Sequence, residues 1–333
     1  MKSGFRYLAR RRRDAENNSK SLRVSASLRE TVLFLFALAF VGLPAVRGQV
    51  SSSALIGQAL DAQVADLKVS GGLLDVMKTI ESQTGVRVEA SAAVWDALPW
   101  GQDTTVNIHI SKHTVRQALD AISQRLGLVY TLESEAVELA PSPALSRLGR
   151  RATLEEIGAL DLLGKTPAEL PTVTPTVRQL LDDVDAKLQA AKSIYAVQER
   201  GLKDAELAKT INVARNATLM EAMEEMSRQT GATWYPWGRT LVVTPKVDAV
   251  RLLLGRRITR KFQNENLAQV LLDLAAYSNV KFSYAPGALA AADDKPFNFH
   301  LEGATVEDAL QFISGKTKLQ FETTDEGVNV SAN

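Results

Sequence analysis

One amphipathic pattern recurs along this chain and limits what it can fold into. Thr218 to Gly231 (TLMEAMEEMSRQTG) sets Leu219, Ala222, Met223 and Met226 at i, i+3, i+4 and i+7, on one face of an α-helix, with Glu221, Glu224, Glu225 and Arg228 outward. Thr218 and Glu221 predict a capping box, and Gly231 a left-handed C-terminal residue. Thr114 to Gly127 repeats this with Val115, Ala118, Leu119 and Ile122 on the apolar face and Gln117 as capping partner. Thr305 to Lys318 does so again with Val306, Ala309, Leu310 and Ile313, Asp308 at the third helical position and Lys318 in place of the glycine. A looser version starts 39 to 42 residues upstream of each, at Leu73, Val177 and Leu267, so six related helices fall into three pairs.

The flanks of these helices alternate as strands do. Val106, Ile108 and Ile110, then Ile211 and Val213, then Phe297, Phe299 and Leu301 precede the second helix of each pair at period-2 spacing. VRV, SIYAV and VKFSY follow the first helices, and LVYTL, ATWY and LQFE the second. A short strand closes each unit near Leu139, Val242 and Val330. The expected fold class is therefore α+β: three tandem β-α-β-β-α-β units, with helices packed on one face of short mixed sheets and helical linkers between units.

The expected boundaries are 65–141, 169–245 and 257–331. In the first spacer, 142–168, Thr153 to Gly164 (TLEEIGALDLLG) carries its own capping box and predicts a linker helix. In the second, 246–256, VDAVRLLL predicts another, ending at Gly255. That second spacer is short, which points to packing of the second unit on the third and a freer first unit. The second unit is the most divergent, with Pro171 in its opening strand and a longer first helix.

The half-unit, a strand followed by [T/N]-[L/V]-x-x-[A/V]-[L/M]-x-x-[I/L/M]-x-x-x-[T/S/L]-G-hydrophobic, resembles the short N-terminal domain shared by secretins and TonB-dependent receptors. TVRQALDAISQRLGLVYTLESEAVEL and TLMEAMEEMSRQTGATWYPWGRTLVV carry the resemblance most clearly. It implies a periplasmic, non-enzymatic domain that contacts other proteins: a secretin, an outer-membrane receptor, inner-membrane components or signalling regulators. Such domains usually precede a pore or barrel, whereas here the sequence ends at Asn333, just after the third unit's last strand, with no barrel pattern. The expectation is a free-standing periplasmic component or the front part of a split gene.

Residues 1–48 read as a signal peptide: a basic lead, an apolar run of 14 residues from Val32 to Ala45, and Val46 and Gly48 at the −3 and −1 positions before Gln49. The run is short of the roughly 20 residues that a bilayer span needs. An uncleaved inner-membrane anchor is the alternative. This leader holds ten basic and three acidic residues, so the net charge of +1 for the whole chain conceals 29 basic and 35 acidic residues after position 48. An acidic mature protein argues against nucleic acid as a partner. The absence of cysteine removes disulfides and thiolate metal sites.

No pattern demands catalysis or a cofactor. His109 and His113 (HISKH) lack an evident third ligand, and His300 alternates outward with Phe299 and Leu301. The acidic groups Asp182, Asp183, Asp185, Asp293 and Asp294 read as solvated, and no GxSxG, phosphate loop, HExxH or EF-hand pattern occurs. The candidate partner-binding residues are aromatic: Trp234, Tyr235 and Trp237 around Pro236, and Trp95 and Trp100 in the long connection of the first unit. Alternation buries only some of them. Edge strands of open sheets offer a second docking mode, including self-association. The competing functions are an envelope signalling domain and a cell-wall polysaccharide module using the Trp234 and Trp237 turn.

Overall fold

The computed structural model describes residues 52–289 and 296–332, so the leader lies outside the described residues. No helix among the described residues is long and apolar enough to cross a membrane. The chain is mixed α+β. After α1 (Ser52–Leu60) come β1 (Gln63–Gly72), α2 (Leu73–Thr84), β2 (Val88–Ala90), α3 (Ala92–Ala97), β3 (Thr105–Thr114), α4 (Val115–Leu126), β4 (Leu128–Leu132) and β5 (Val137–Pro141). The middle holds α5 (Pro143–Ser146), α6 (Leu154–Lys165), α7 (Val177–Ala190), β6 (Ala196–Glu199), α8 (Asp204–Leu207), α9 (Leu219–Gln229), β7 (Ala232–Trp237), β8 (Thr240–Pro245) and α10 (Lys246–Leu254). The rest is β9 (Arg257–Glu265), α11 (Leu267–Ser278), β10 (Phe282–Tyr284), β11 (Phe297–Thr305), α12 (Val306–Lys316), β12 (Leu319–Thr323) and β13 (Val328–Ala332).

The strands form separate small sheets. Three are three-stranded, in the orders β2-β5-β4, β6-β8-β7 and β10-β13-β12; in each, the first strand pairs parallel to the middle one and the last pairs antiparallel to it. Two are antiparallel ribbons, β1 with β3 and β9 with β11. Strands expected in one sheet are thus divided between a ribbon and a three-stranded sheet. The second segment has no ribbon. The stretches expected as strands at Leu170–Val173 and Ile211–Val213 are joined by isolated bonds, from Val213 N to Val173 O (3.0 Å), Ile211 N to Pro175 O (3.0 Å) and, beyond them, Val177 N to Lys209 O (2.9 Å). Pro171 and Pro175 have no N–H to donate, which prevents a continuous ladder.

Helix starts follow the capping rules. Thr114, Thr153, Thr176, Thr218 and Thr305 each accept from the backbone N–H three residues on, and the side chain at that position accepts the N–H of the cap. Helix ends divide. Gly85, Gly127 and Asn279 close α2, α4 and α11 in the left-handed conformation. Gly231 does not play that part for α9. Its helix ends in an extended Thr230 whose hydroxyl donates to Met226 O (2.8 Å), and Thr317 does the same to Ile313 O (2.8 Å) after α12. Gly231 instead donates its N–H to Glu206 Oε1 (2.6 Å).

The packing corrects the expected freedom of the first unit. One apolar core runs continuously from Leu60 to Val243, and a second from Leu253 to Val330. The first and second segments share a core because α6 lies between them, touching α4 on one side and α9 and β7 on the other. Its residues Glu156, Ile157, Ala159, Leu160, Leu163 and Gly164 are all buried, more than one stripe, as befits a helix covered on two sides. Small residues permit the approach: a Cβ at Gly164 would stand 3.0 Å from Gln124 Cγ and 3.5 Å from Met220 Cε.

Candidate functional site

The aromatic residues of β7 do not behave as alternation predicts. Ala232 to Pro236 are buried in succession, since α5, α6, α9 and α10 all contact this strand. Trp234 is 0% exposed, and its indole N–H has no hydrogen-bond partner in the structure. Tyr235 is buried too, and that burial raises its phenol pKa. Neither residue offers a surface to a partner. Trp237, at the end of the strand, is 40% exposed and meets the Tyr235 ring edge-on at 6.2 Å. In the connection of the first segment Trp95 is half-buried, whereas Trp100 is 51% exposed. The exposed aromatic pair is therefore Trp100 and Trp237.

An arginine-rich loop between α5 and α6 organises the surroundings of both. Arg147 forks onto the Glu224 carboxylate (2.9 and 2.8 Å) and donates to Trp234 O (3.1 Å), tying the loop to α9 and β7. Arg150 stands 4.3 Å from the Trp237 ring centre and forks onto Glu156 (2.9 and 2.6 Å). Glu156 is fully buried, and its carboxylate also accepts the N–H groups of Thr153 and Gly238, each at 2.8 Å. Burial alone would raise the Glu156 pKa. The Arg150 fork and the two backbone donors outweigh it and hold the carboxyl below its ordinary value. Arg151 packs its guanidinium against Gly101, next to Trp100, and Ala152 N–H donates to Ala97 O (2.8 Å).

Sequence reasoning identified the capping role of Thr153 but not the burial of Glu156 or its arginine. The signal was faint: Glu156 occupies the third helical position, where a carboxylate is normally solvated. His109 and His300 are exposed, and no group of three His, Cys, Asp or Glu among the described residues is placed to hold a metal ion. What the arrangement offers chemically is recognition: two exposed indoles and a buried, fully bonded carboxylate that fixes a guanidinium against one of them. No family model, curated protein or solved structure matches this chain.

Proposed function

We propose that the chain is a non-catalytic, exported protein-interaction module of the bacterial envelope, built from three copies of one unit similar to the short N-terminal domain of secretins and TonB-dependent receptors. The observation that carries this reading is the threefold recurrence of one strand order, a parallel outer strand, a central strand and an antiparallel hairpin partner, with a threonine-capped helix leading into each hairpin. Its partners are other envelope proteins: a secretin, an outer-membrane receptor or inner-membrane components.

Two surfaces support docking. Trp100 and Trp237 are large exposed aromatics of the kind that anchor interfaces. The outer strands β2 and β4, and β10 and β12, each pair on one side only among the described residues, leaving backbone groups for a further strand. Native mass spectrometry and affinity capture from envelope extract, each with wild type and the Trp100→Ala, Trp237→Ala double variant, test this. The expected result is an oligomer or a retained envelope protein that the double variant weakens. A strictly monomeric protein that retains none sinks the reading, and sedimentation with purified cell wall would redirect it to polysaccharide binding.

A further inference from the structure

A cleft of 460 Å³ opens where α3, the loop after α5 and the C-terminal end of α11 meet. That volume is within the range of small-molecule sites, about 300–1,000 Å³. Three guanidiniums line it. Arg150 is neutralised by Glu156. Arg151 and Arg256 are not, as neither lies within ion-pair distance of a carboxylate among the described residues. Two like charges facing one cavity disfavour each other unless an anion joins them.

Arg256 is held in place, and Arg151 is exposed beside Gly101. Arg256 donates from Nη1 to Tyr277 O (2.7 Å) and stands 5.0 Å from the Tyr277 ring centre. Gly149, at φ +61°, brings the loop against α10 where any side chain would run into Leu253. We propose that this cleft binds a small organic anion, its carboxylate or phosphate group gripped by Arg151 and Arg256 together. A guanidinium meets either group through paired N–H donors. Asp96 on the same lining repels charge at its side, so the ligand carries its charge at one end, and the half-exposed Tyr277 ring covers an apolar remainder. The cleft adjoins the docking surface, because Arg150 lies on Trp237 and Arg151 beside Gly101, but its ligand does not depend on that surface's partner.

Calorimetric titration of the purified protein at fixed ionic strength with benzoate, and separately with phenyl phosphate, tests the proposal, with benzyl alcohol as the neutral control. Saturable binding of at least one anion at one site is expected, with none of the alcohol. The anion that binds identifies the headgroup. Arg151→Gln and Arg256→Gln should each weaken binding about tenfold or more, the usual loss of a charged hydrogen bond, while the exposed Arg215→Gln leaves it unchanged. Should Arg256→Gln fail to fold, the surface variant Arg151→Gln decides. No saturable binding of either anion, or an affinity that a folded cleft variant leaves intact, overturns the proposal.

Discussion

Glu156 gathers an arginine fork and two backbone donors on one buried carboxylate. It joins the first turn of α6 to Arg150, and through Gly238 N–H to the β7–β8 hairpin, from a position with no exposed surface. Removing one partner of such a pair leaves the other without its counter-charge, so Glu156→Ala should cost about 3 kcal/mol in denaturant unfolding. The pH dependence follows from its depressed pKa. Its contribution is fully present above the unfolded glutamate value of about 4.3 and is lost as the pH falls toward and through the lower folded value. The stability gap between wild type and Glu156→Gln is therefore expected to hold near neutrality and to close in acid; a gap that widens below that value would contradict the assignment. At the same scale, Trp100 and Trp237 are exposed and Trp234 is not. Acrylamide should quench the double variant Trp100→Ala, Trp237→Ala much less than wild type, because its remaining emission comes chiefly from Trp234 and half-buried Trp95. The exposure of each indole was not legible in the sequence, since alternation assumes one solvated face and β7 has neither.

Helices were the legible elements. Their apolar spacing, threonine caps and third-position partners are local properties, so Val115–Leu126, Leu154–Lys165 and Val306–Lys316 fall where the pattern places them. Pairing between distant strands was less legible, because Pro171 and Pro175 abolish a ribbon that the other two segments form. The role of a helix-ending glycine also depends on what lies across from it. Gly85 and Gly127 both close helices in the left-handed region, at φ +73° and +65°, but a Cβ at Gly85 meets nothing within 4 Å, whereas one at Gly127 runs into the Leu160 side chain of α6. Gly85→Ala should therefore cost about 1 kcal/mol, the backbone term alone. Gly127→Ala adds the displacement of Leu160, for a total of about 2–4 kcal/mol. Chemical denaturation of the two variants compares them directly, and equal losses would show that α6 is not seated on α4 as described.

At the scale of the whole molecule, spacer length proved a poor guide to association. The longer spacer holds α6, whose buried surface on two sides makes it the shared centre of the first core, while the shorter one holds α10 at the junction of both cores. A long connection that supplies its own apolar helix adds core; the helix was legible in Thr153 to Gly164, but its burial on two sides was not. The links between the cores are polar in part, such as Asn279 Nδ2 to Ser146 O (3.4 Å). Cooperativity depends on the apolar surface that two bodies share, so calorimetry should resolve two unfolding transitions. Leu160→Ala, in the first core, and Leu271→Ala, in the second, each remove a fully buried side chain. Each should cost about 2–5 kcal/mol and lower only its own transition. Hydrogen exchange would assign the transitions, with amides of α4, α6 and α9 losing protection together in Leu160→Ala while those of α11 and α12 keep theirs. A single transition that both substitutions shift equally would mean that the contacts around α10 and the arginine-lined cleft couple the cores into one cooperative unit.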